Sequence, residues 1–481
     1  IVVFGDYDCD GITATAVLTE ALRALGGEVV PLIASRFDGG YGLSDAAADR
    51  VIAASPKLLI TCDCGSSDAP RLARIKAAGI DAIVIDHHLV PDEPLDVVAF
   101  LNPHRPDCGF PYKGLASCGL ALSIAAGVRT ALDVAFDLRP LLDLVAIGTI
   151  ADVAPLDGDN RPLVRAGLAM LQRALRPGIR ALAEVAGLQL SAGLSADDVA
   201  FRIAPRLNAP GRLGPADIAL SLLLARNPIE ARGWAAQLER AQEKRRQLER
   251  EVLADALRQV EEQGLAEMPA IVVAGQGWHQ GVVGIVAGRL AERFAKPTIV
   301  VGLDGPMGRG SVRGPRGFRL HDALTRSADA LASFGGHQAA AGVVVEAAQI
   351  ERLRERFAEA CRDCAPAPGT DDECAAEVLL DEADSPSRVV NDLMLFEPCG
   401  EANPAPRIAI PNAVVRDARD LKGHLKLFLE VAGKPMSAFG LNMGPEAASV
   451  GKRVHLVGKL RRDTWRGGDA VEVRIERVEN A

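Results

Sequence analysis

The chain has 481 residues, 48% of them hydrophobic and 24% charged, with a formal net charge of −9. That length exceeds the ~250–300 residues at which a single core stops growing, so several globular domains are expected, and the acidity argues against a protein that coats duplex nucleic acid by bulk charge. Apolar runs such as residues 141–150 fall short of the ~18 residues that a membrane span needs, and nine cysteines in so long a chain make no disulfide framework, which fits a reducing cytoplasm.

Residues 1–4 read as a buried strand that runs straight into Asp6-Tyr7-Asp8-Cys9-Asp10-Gly11. No signal peptide is visible there, and the start leaves room for a natural segment ahead of Ile1. From there to about residue 190, apolar strand-like runs alternate with Ala/Leu-rich helical runs at 14–25, 46–54 and 69–78. This is the rhythm of a parallel sheet covered by helices. The run 58–60 delivers Asp63 and Gly65, and 82–85 delivers Asp86-His87-His88. A Pro/Gly-rich loop at 102–114 follows, and Asp152 comes after a helical run.

Next, Arg202, Arg206 and Arg212 surround Asn208, Gly211 and Gly214 in a segment that reads as a loop too irregular for a helix interior. Asn227-Pro228 opens a helix to about residue 263. Its middle, 237–250, is nearly all charged or amide-bearing, so packing is expected to touch only part of it and the helix to bridge domains. Gly264 ends it, and 270–274 opens a second α/β unit with strands at 298–301 and 342–345. Cys361 and Cys364 have a C-x-x-C spacing. In a helical stretch with no second pair nearby, they read as helix-face thiols rather than a zinc site. A linker rich in Pro and acid, 365–373, closes the unit. Short strands at 407–410, 425–431, 437–441, 453–460 and 470–478 then suggest a small all-β barrel. The expected division is 1–195, 196–226, 227–263, 264–370 and 376–481.

Strand ends that collect acids and imidazoles build a metal site at the carboxyl edge of a parallel sheet. Asp6, Asp8 and Asp10 on one pleat edge repel, and at least one would take up a proton without a cation. Oxygen and imidazole ligands suit manganese or magnesium better than a thiolate zinc site. Cys9, Cys62 and Cys64 adjoin these acids and read as small buried side chains. Ser66 and Ser67 read as loop and cap residues, since a metal-activated water needs no nucleophilic side chain.

The Asp-x-Asp-x-Asp-Gly opening, Asp63-Cys64-Gly65, Asp86-His87-His88 and Gly148-Thr149-Ile150-Ala151-Asp152 together resemble the DHH phosphoesterases. Two later signatures extend the resemblance over essentially the whole chain: Pro205-Arg206-Leu207-Asn208-Ala209-Pro210-Gly211-Arg212 and Gly335-Gly336-His337-Gln338-Ala339-Ala340-Ala341-Gly342. They point to the branch of single-stranded-DNA-specific 5′-to-3′ exonucleases. Cys9 departs from the Ala commoner in the family motif. The implied fold is a parallel-sheet α/β DHH catalytic domain, a long bridging helix, a second smaller α/β domain and a C-terminal OB-type β-barrel.

The resemblance implies two divalent cations, Mn2+ or Mg2+, held by Asp6, Asp8, Asp10, Asp63, His87 and Asp152. Asp63 is the bridging candidate, and the partition of the others is open. Asp86 and His88 flank His87 on an extended segment whose side chains alternate; they are the catalytic candidates, one expected to orient ligands or meet the scissile phosphate. Arg206, Asn208 and Arg212 are implied at or near the 5′ phosphate, where guanidinium forks bind oxygens bidentately. Arg309, Ser311 and Arg313, followed by Arg316 and Arg319, form a second basic patch. Gly335, Gly336 and His337 are expected in a tight loop that holds a phosphate or sugar. His279, in Trp278-His279-Gln280-Gly281, is either a contact or a packing residue. With only 4% aromatics a continuous stacking groove is not evident. In the barrel, Phe428, Phe439 and Trp465 beside Lys422, Lys426, Arg461, Arg462 and Arg466 read as a weak strand grip or as core.

The implied activity is two-metal-ion hydrolysis of single-stranded DNA from its 5′ end, in DNA repair and recombination. The expected setting is cytoplasmic and monomeric, with a single-strand-binding protein and a helicase as partners. A DHH phosphodiesterase for RNA, short oligonucleotides or cyclic dinucleotides is the alternative, and the long helix with an added barrel argues against it. A non-catalytic nucleic-acid scaffold is argued against by the intact Asp8, Asp63, His87 and Asp152.

Overall fold

Continuous apolar runs such as Val2-Val3-Phe4, buried on both faces, can only be the inner strands of a sheet covered on two sides. Strands β1 (Val2–Gly5), β2 (Val30–Ile33), β3 (Leu58–Cys62), β4 (Asp81–Ile85) and β5 (Ala99–Leu101) form that sheet, all parallel, in the order β2-β1-β3-β4-β5. The computed structural model describes residues 1–190, 193–315, 317–336, 340–364, 376–380, 384–431, 433–463 and 470–481. The linker at 365–373 and Arg316, His337, Trp465 and Arg466 lie outside the described residues.

The chain divides into two units. One comprises Ile1–Ala154, Pro162–Leu194 and Asp198–Pro368; the other comprises Pro155–Arg161, Ser195–Asp197 and Gly369–Ala481. In the first unit, the opening acids do not share a pleat edge. The strand stops at Gly5, Asp8 caps the helix Cys9–Ala24 by accepting from the Asp10 and Gly11 amides, and Asp10 lies in its first turn. The orphan N–H groups at a helix start attract an acid strongly enough to begin the helix five residues before its Ala-rich part.

The arginine-bearing segment is a correction. It is a π-helical turn, Val199–Ile203, followed by an α-helix, Ala204–Leu213. Pro205 sits in the first turn, where its missing N–H costs nothing. Leu207, Ala209 and Gly211 are buried, so tertiary packing overrides the helix-breaking composition. Gly211 is needed there, because a Cβ would come within 2.7 Å of the Tyr7 carbonyl oxygen.

The long helix runs Pro228–Glu262, 35 residues capped by Asn227. Packing follows its whole length rather than part of it: Ala231, Ala235, Leu238, Gln242, Arg245, Glu249, Val252, Ala256 and Val260 make one buried stripe. The polar middle stays on the stripe because Arg245 bonds Gln242 at 2.9 Å and Glu249 at 2.5 Å.

Beyond it, β6 (Ile271–Gln276), β7 (Thr298–Asp304), β8 (Met307–Arg313), β9 (Ser333–Gly336) and β10 (Ala340–Glu346) form a mixed sheet ordered β6-β7-β8-β10-β9. Only β6 and β7 are parallel. One face packs on Phe357 and Leu353 of the helix Ile350–Cys364, the other on Val286 and Leu290 of the helix Gln280–Phe294. Cys361 and Cys364 are buried free thiols in the first of these cores.

In the second unit, β11 (Val378–Leu379) leads β12 (Ile408–Leu421), β13 (His424–Val431), β14 (Lys434–Gly440), β15 (Arg453–Arg462) and β16 (Val471–Asn480). Pairing of β12 with both β13 and β15 closes five of these strands into a barrel. Its core alternates with period two, as Leu425, Leu427, Leu429 and Val431 show.

Candidate metal centre and phosphate site

The sheet, the helix start and a helix end deliver their acids to one place. Asp6 follows β1, Asp63 follows β3 and His87 follows β4, while Asp10 comes from the first turn of Cys9–Ala24 and Asp152 caps the end of Leu142–Ala151. His87 Nε2 stands 3.2 Å from Asp63 Oδ1, 3.8 Å from Asp152 Oδ2 and 3.9 Å from Asp10 Oδ2. Three groups can each converge on a cation: Asp10, His87 and Asp152; Asp6, Asp8 and Asp63; and Asp63, His87 and His88. Asp63 belongs to two of these sets, which suits a bridging ligand. His88, which sequence reasoning placed apart from direct ligation, is within reach as well.

Neighbouring elements fix each side chain. The N-terminus of the helix Ser117–Ala131 gives Asp10 two amide bonds, from Ser117 at 2.6 Å and Cys118 at 2.9 Å, while Ser117 Oγ donates to Asp63 at 3.0 Å. Gly148 lets the helix Leu142–Ala151 approach, since a Cβ there would lie 2.9 Å from Asp10 Oδ1 and 2.3 Å from Thr13 Oγ1. Asp63 takes a left-handed φ of +64°, which Asp tolerates better than most residues. Tyr41 Oη donates to the Asp63 carbonyl at 2.8 Å and lies 2.9 Å from His88 Nδ1.

Asp86 belongs to none of these three groups. It accepts the His87, His88 and Ser66 amides and lies 2.8 Å from His88 Nδ1. Burial would raise its carboxyl, but bonds from His88 and Ser66 outweigh that and hold it at about 2. Asp86 is therefore a buried anion that orients His88 and turns the chain.

Asp6, Asp63 and Asp152 behave oppositely. Burial, then repulsion from Asp8, raises Asp6 well above the ordinary carboxylate range, and burial with Asp8 and Asp10 does the same to Asp63. Asp152 is pushed up to about 8 by burial and then by Asp10 and Asp8. His87 is lowered by burial, which favours the neutral ring that a metal needs. Its Nε2 is buried without a hydrogen-bond partner. An orphaned imidazole nitrogen aimed among crowded carboxylates fits a divalent cation, which would satisfy the nitrogen and relieve the repulsion together.

Beside this centre is an uncompensated positive cluster. Arg212 is pulled down to about 10, first by burial and then by Arg36, Arg245 and Arg313, with Asp8 opposing. Arg245 is paired with Glu249, whereas the hydrogen bonds of the other three go to neutral acceptors: Arg36 to Gly211 O, Arg212 to Gly281 O, and Arg313 to Ser311 Oγ and Val312 O. Arg36 also covers the Tyr7 ring at 4.3 Å. Half-buried guanidinium groups that repel one another and, among the described residues, have no carboxylate partner are suited to an oxyanion. Sequence reasoning found Arg212, Ser311 and Arg313 but missed Arg36, Tyr41 and Ser117. The only available signal for Arg36 and Tyr41 was their position in the loop beyond β2.

Other expectations change. Arg206 is buried and paired with Glu239 at 2.5 Å and with Arg202 O at 2.7 Å, so its guanidinium holds the helix Ala204–Leu213 to the long helix rather than facing a phosphate. Asn208 Oδ1 is buried without a partner. His279 caps the helix Gln280–Phe294 by accepting from Gly281 N at 3.1 Å, and its ring meets Phe37 edge-on at 6.1 Å. Arg309 is exposed on β8. Gly335 and Gly336 end the strand β9 rather than form a loop, paired with β10. In the barrel, Lys426 and Arg461 are both committed to Glu472 at 2.5 Å, which weakens their reading as a strand grip.

Comparison with known proteins decides the family. Residues 1–149 match the DHH family, N-terminal domain, residues 267–363 the DHHA1 domain, and residues 376–477 the RecJ OB domain. The single-stranded-DNA-specific exonuclease RecJ of Salmonella typhimurium is 35% identical over 99% of this chain and 87% of its own length. The chain belongs to the RecJ family of single-stranded-DNA-specific exonucleases. RecJ of Bacillus subtilis is 35% identical over 99% of the chain, which spans 61% of that relative. The crystal structure of RecJ from Thermus thermophilus in complex with Mn2+ superposes with a TM-score of 0.84 at 33% identity, over 100% of this chain and 69% of that one. The Mg2+ complex gives 0.78 at 32% identity, over 100% and 67%. Those RecJ structures carry Mn2+ or Mg2+, and the acid and imidazole groups here suit either ion.

Proposed function

We propose that this chain removes nucleotides from the 5′ end of single-stranded DNA by hydrolysis at a centre of two divalent cations, in DNA repair and recombination. The observation that carries the reading is the orphaned His87 Nε2 among Asp10, Asp63 and Asp152, with Asp6 and Asp8 beside them. Asp6, Asp8, Asp10, Asp63, His87 and Asp152 would hold the cations, with Asp63 shared. When bound, such ions lower the pKa of a water and neutralise charge developing on phosphate oxygens.

The chain's own groups supply orientation. Asp86 fixes the His88 ring, and Tyr41 ties His88 to the Asp63 backbone. Arg36, Arg212 and Arg313, with Ser311, form a basic seat beside Asp8 for a phosphate at the strand end. A terminal phosphate is the better fit for a closed cluster, because it carries more charge than a bridging diester. Arg309, His279, Asn208, Gly335, Gly336 and His337 remain candidates for contacts farther along the strand.

Digestion of 5′- and 3′-labelled single strands of DNA and RNA, with Mn2+, Mg2+ or chelator, tests this. Mononucleotides released from the 5′ end of DNA alone are expected. Equal digestion of RNA, or release from the 3′ end, would replace the reading. A cytoplasmic monomer acting beside a single-strand-binding protein and a helicase belongs to the same proposal; sedimentation of the purified chain and titration with those proteins would test it.

A further inference from the structure

Asp152 ends the helix Leu142–Ala151, and the next residue turns the chain, with Val153 N donating to Ile150 O and Ala154 N to Thr149 O, both at 3.2 Å. This places Val153 at φ +59°, in the position that helix ends usually give to glycine. Left-handed backbone presses Cβ against the following carbonyl, and a branched Cβ makes the crowding worse. Among the described residues, Val153 is the only β-branched side chain at positive φ. Burial would be an ordinary compensation, yet Val153 is 65% exposed. Its strain is offset by little packing among the described residues, and such outliers concentrate where a side chain meets a ligand.

The location supports that cause. Val153 directly follows Asp152, whose carboxylate lies 3.8 Å from His87 Nε2. Leu89 is a second exposed apolar residue adjoining a group of the centre: it directly follows His88 and is 68% exposed. The metal-facing groups and the arginine seat are all polar, so they can read phosphate but not base. An apolar residue next to the reacting phosphate adds what they lack.

We propose that Val153, together with Leu89, is an apolar contact for the nucleobase of the nucleotide being cleaved. This rests on the phosphodiesterase reading and adds to it a residue that senses an unpaired base at the cleavage position. A base in a duplex keeps its faces stacked and cannot present one to Val153, so the contact favours single strands.

The test uses the full chain, Mn2+ and two 5′-phosphorylated oligodeoxynucleotides, one with normal bases and one abasic at its first two positions. Val153→Gly removes the side chain and the strain together. It should raise Tm by about 1–3 °C and raise KM for the base-bearing strand roughly fivefold, the order of one lost aliphatic contact. KM for the abasic strand should not change. Leu89→Ala should move KM in the same direction with no gain in Tm. An unchanged ratio of the two KM values in Val153→Gly overturns the proposal, as does an equal loss on both strands, which would mean that Val153 only shapes Asp152. If the wild-type chain cleaves neither strand, the phosphodiesterase reading itself fails and the inference falls with it.

Discussion

Asp63 is the residue on which the metal centre turns, because it alone joins the Asp6–Asp8 acids to His87. Asp63→Asn keeps the shape and the Ser117 bond but loses the charge that two cations would share. Hydrolysis should fall at least roughly 10³-fold, while single-strand affinity in chelator stays within about twofold, as filter binding would show. Near-normal turnover would remove Asp63 from the centre.

Asp152 supplies a second test. Burial, then Asp10 and Asp8, push its carboxyl up to about 8 in the fold, against about 3.9 in an unfolded chain. The metal-free fold therefore disfavours the charged form, and this group's contribution to stability is lost as pH rises between those values. Chelated protein should melt lower at pH 8 than at pH 6, and Mn2+ should restore more at pH 8, where fewer protons compete for the acids. Asp152→Asn should flatten the slope of Tm against pH in chelator. The same slope in variant and wild type would mean that the other acids carry it.

The helix Ala204–Leu213 shows how one element divides its arginines between two tasks. Arg206 is paired with Glu239, whereas Arg212 bonds Gly281 O and feels the charge of Arg36 and Arg313. Arg206→Ala should cost about 2 kcal/mol of stability, less than a fully buried pair because Glu239 is partly exposed. The salt dependence of DNA binding should stay as in wild type. Arg212→Ala should instead leave Tm unchanged or higher, since it removes mutual repulsion, and should flatten the salt slope by about one contact. Urea melts and binding titrations from low to high salt separate the two outcomes; the reverse pattern would exchange the roles.

The molecule as a whole has two units with separate cores, and every proposed metal ligand and arginine of the phosphate seat lies in the first. A chain ending at residue 364 should still hydrolyse short single strands while losing processivity on long ones, if the barrel contacts the strand. Its Tm should also drop. Leu156 N bonds Glu401 O at 2.7 Å, and Arg161 bonds Phe396 O at 3.1 Å and Asn403 at 3.3 Å, all lost on truncation. Unaltered processivity, read from product ladders with excess competitor, would assign the barrel to partner binding. Lys426 and Arg461 share the single carboxylate of Glu472, so only part of their charge is left for a strand and the outcome depends mainly on the other exposed cations.

The sheet, the barrel and the chemical identity of the centre were legible in the bare chain, because each is written locally. Apolar runs set strands buried on both faces, period-two alternation set the barrel, and acids placed just past strand ends had to face one edge. Packing settled what local composition could not. It made a helix of Ala204–Leu213 through burial of Leu207, Ala209 and Gly211, and it set Arg206 against Glu239, 33 residues away. Ser117 was brought to Asp10 across 107 residues of chain, and Arg36 to Gly211 across 175. A charge's role depends on its partner, and partners so distant in sequence are chosen only when the core closes.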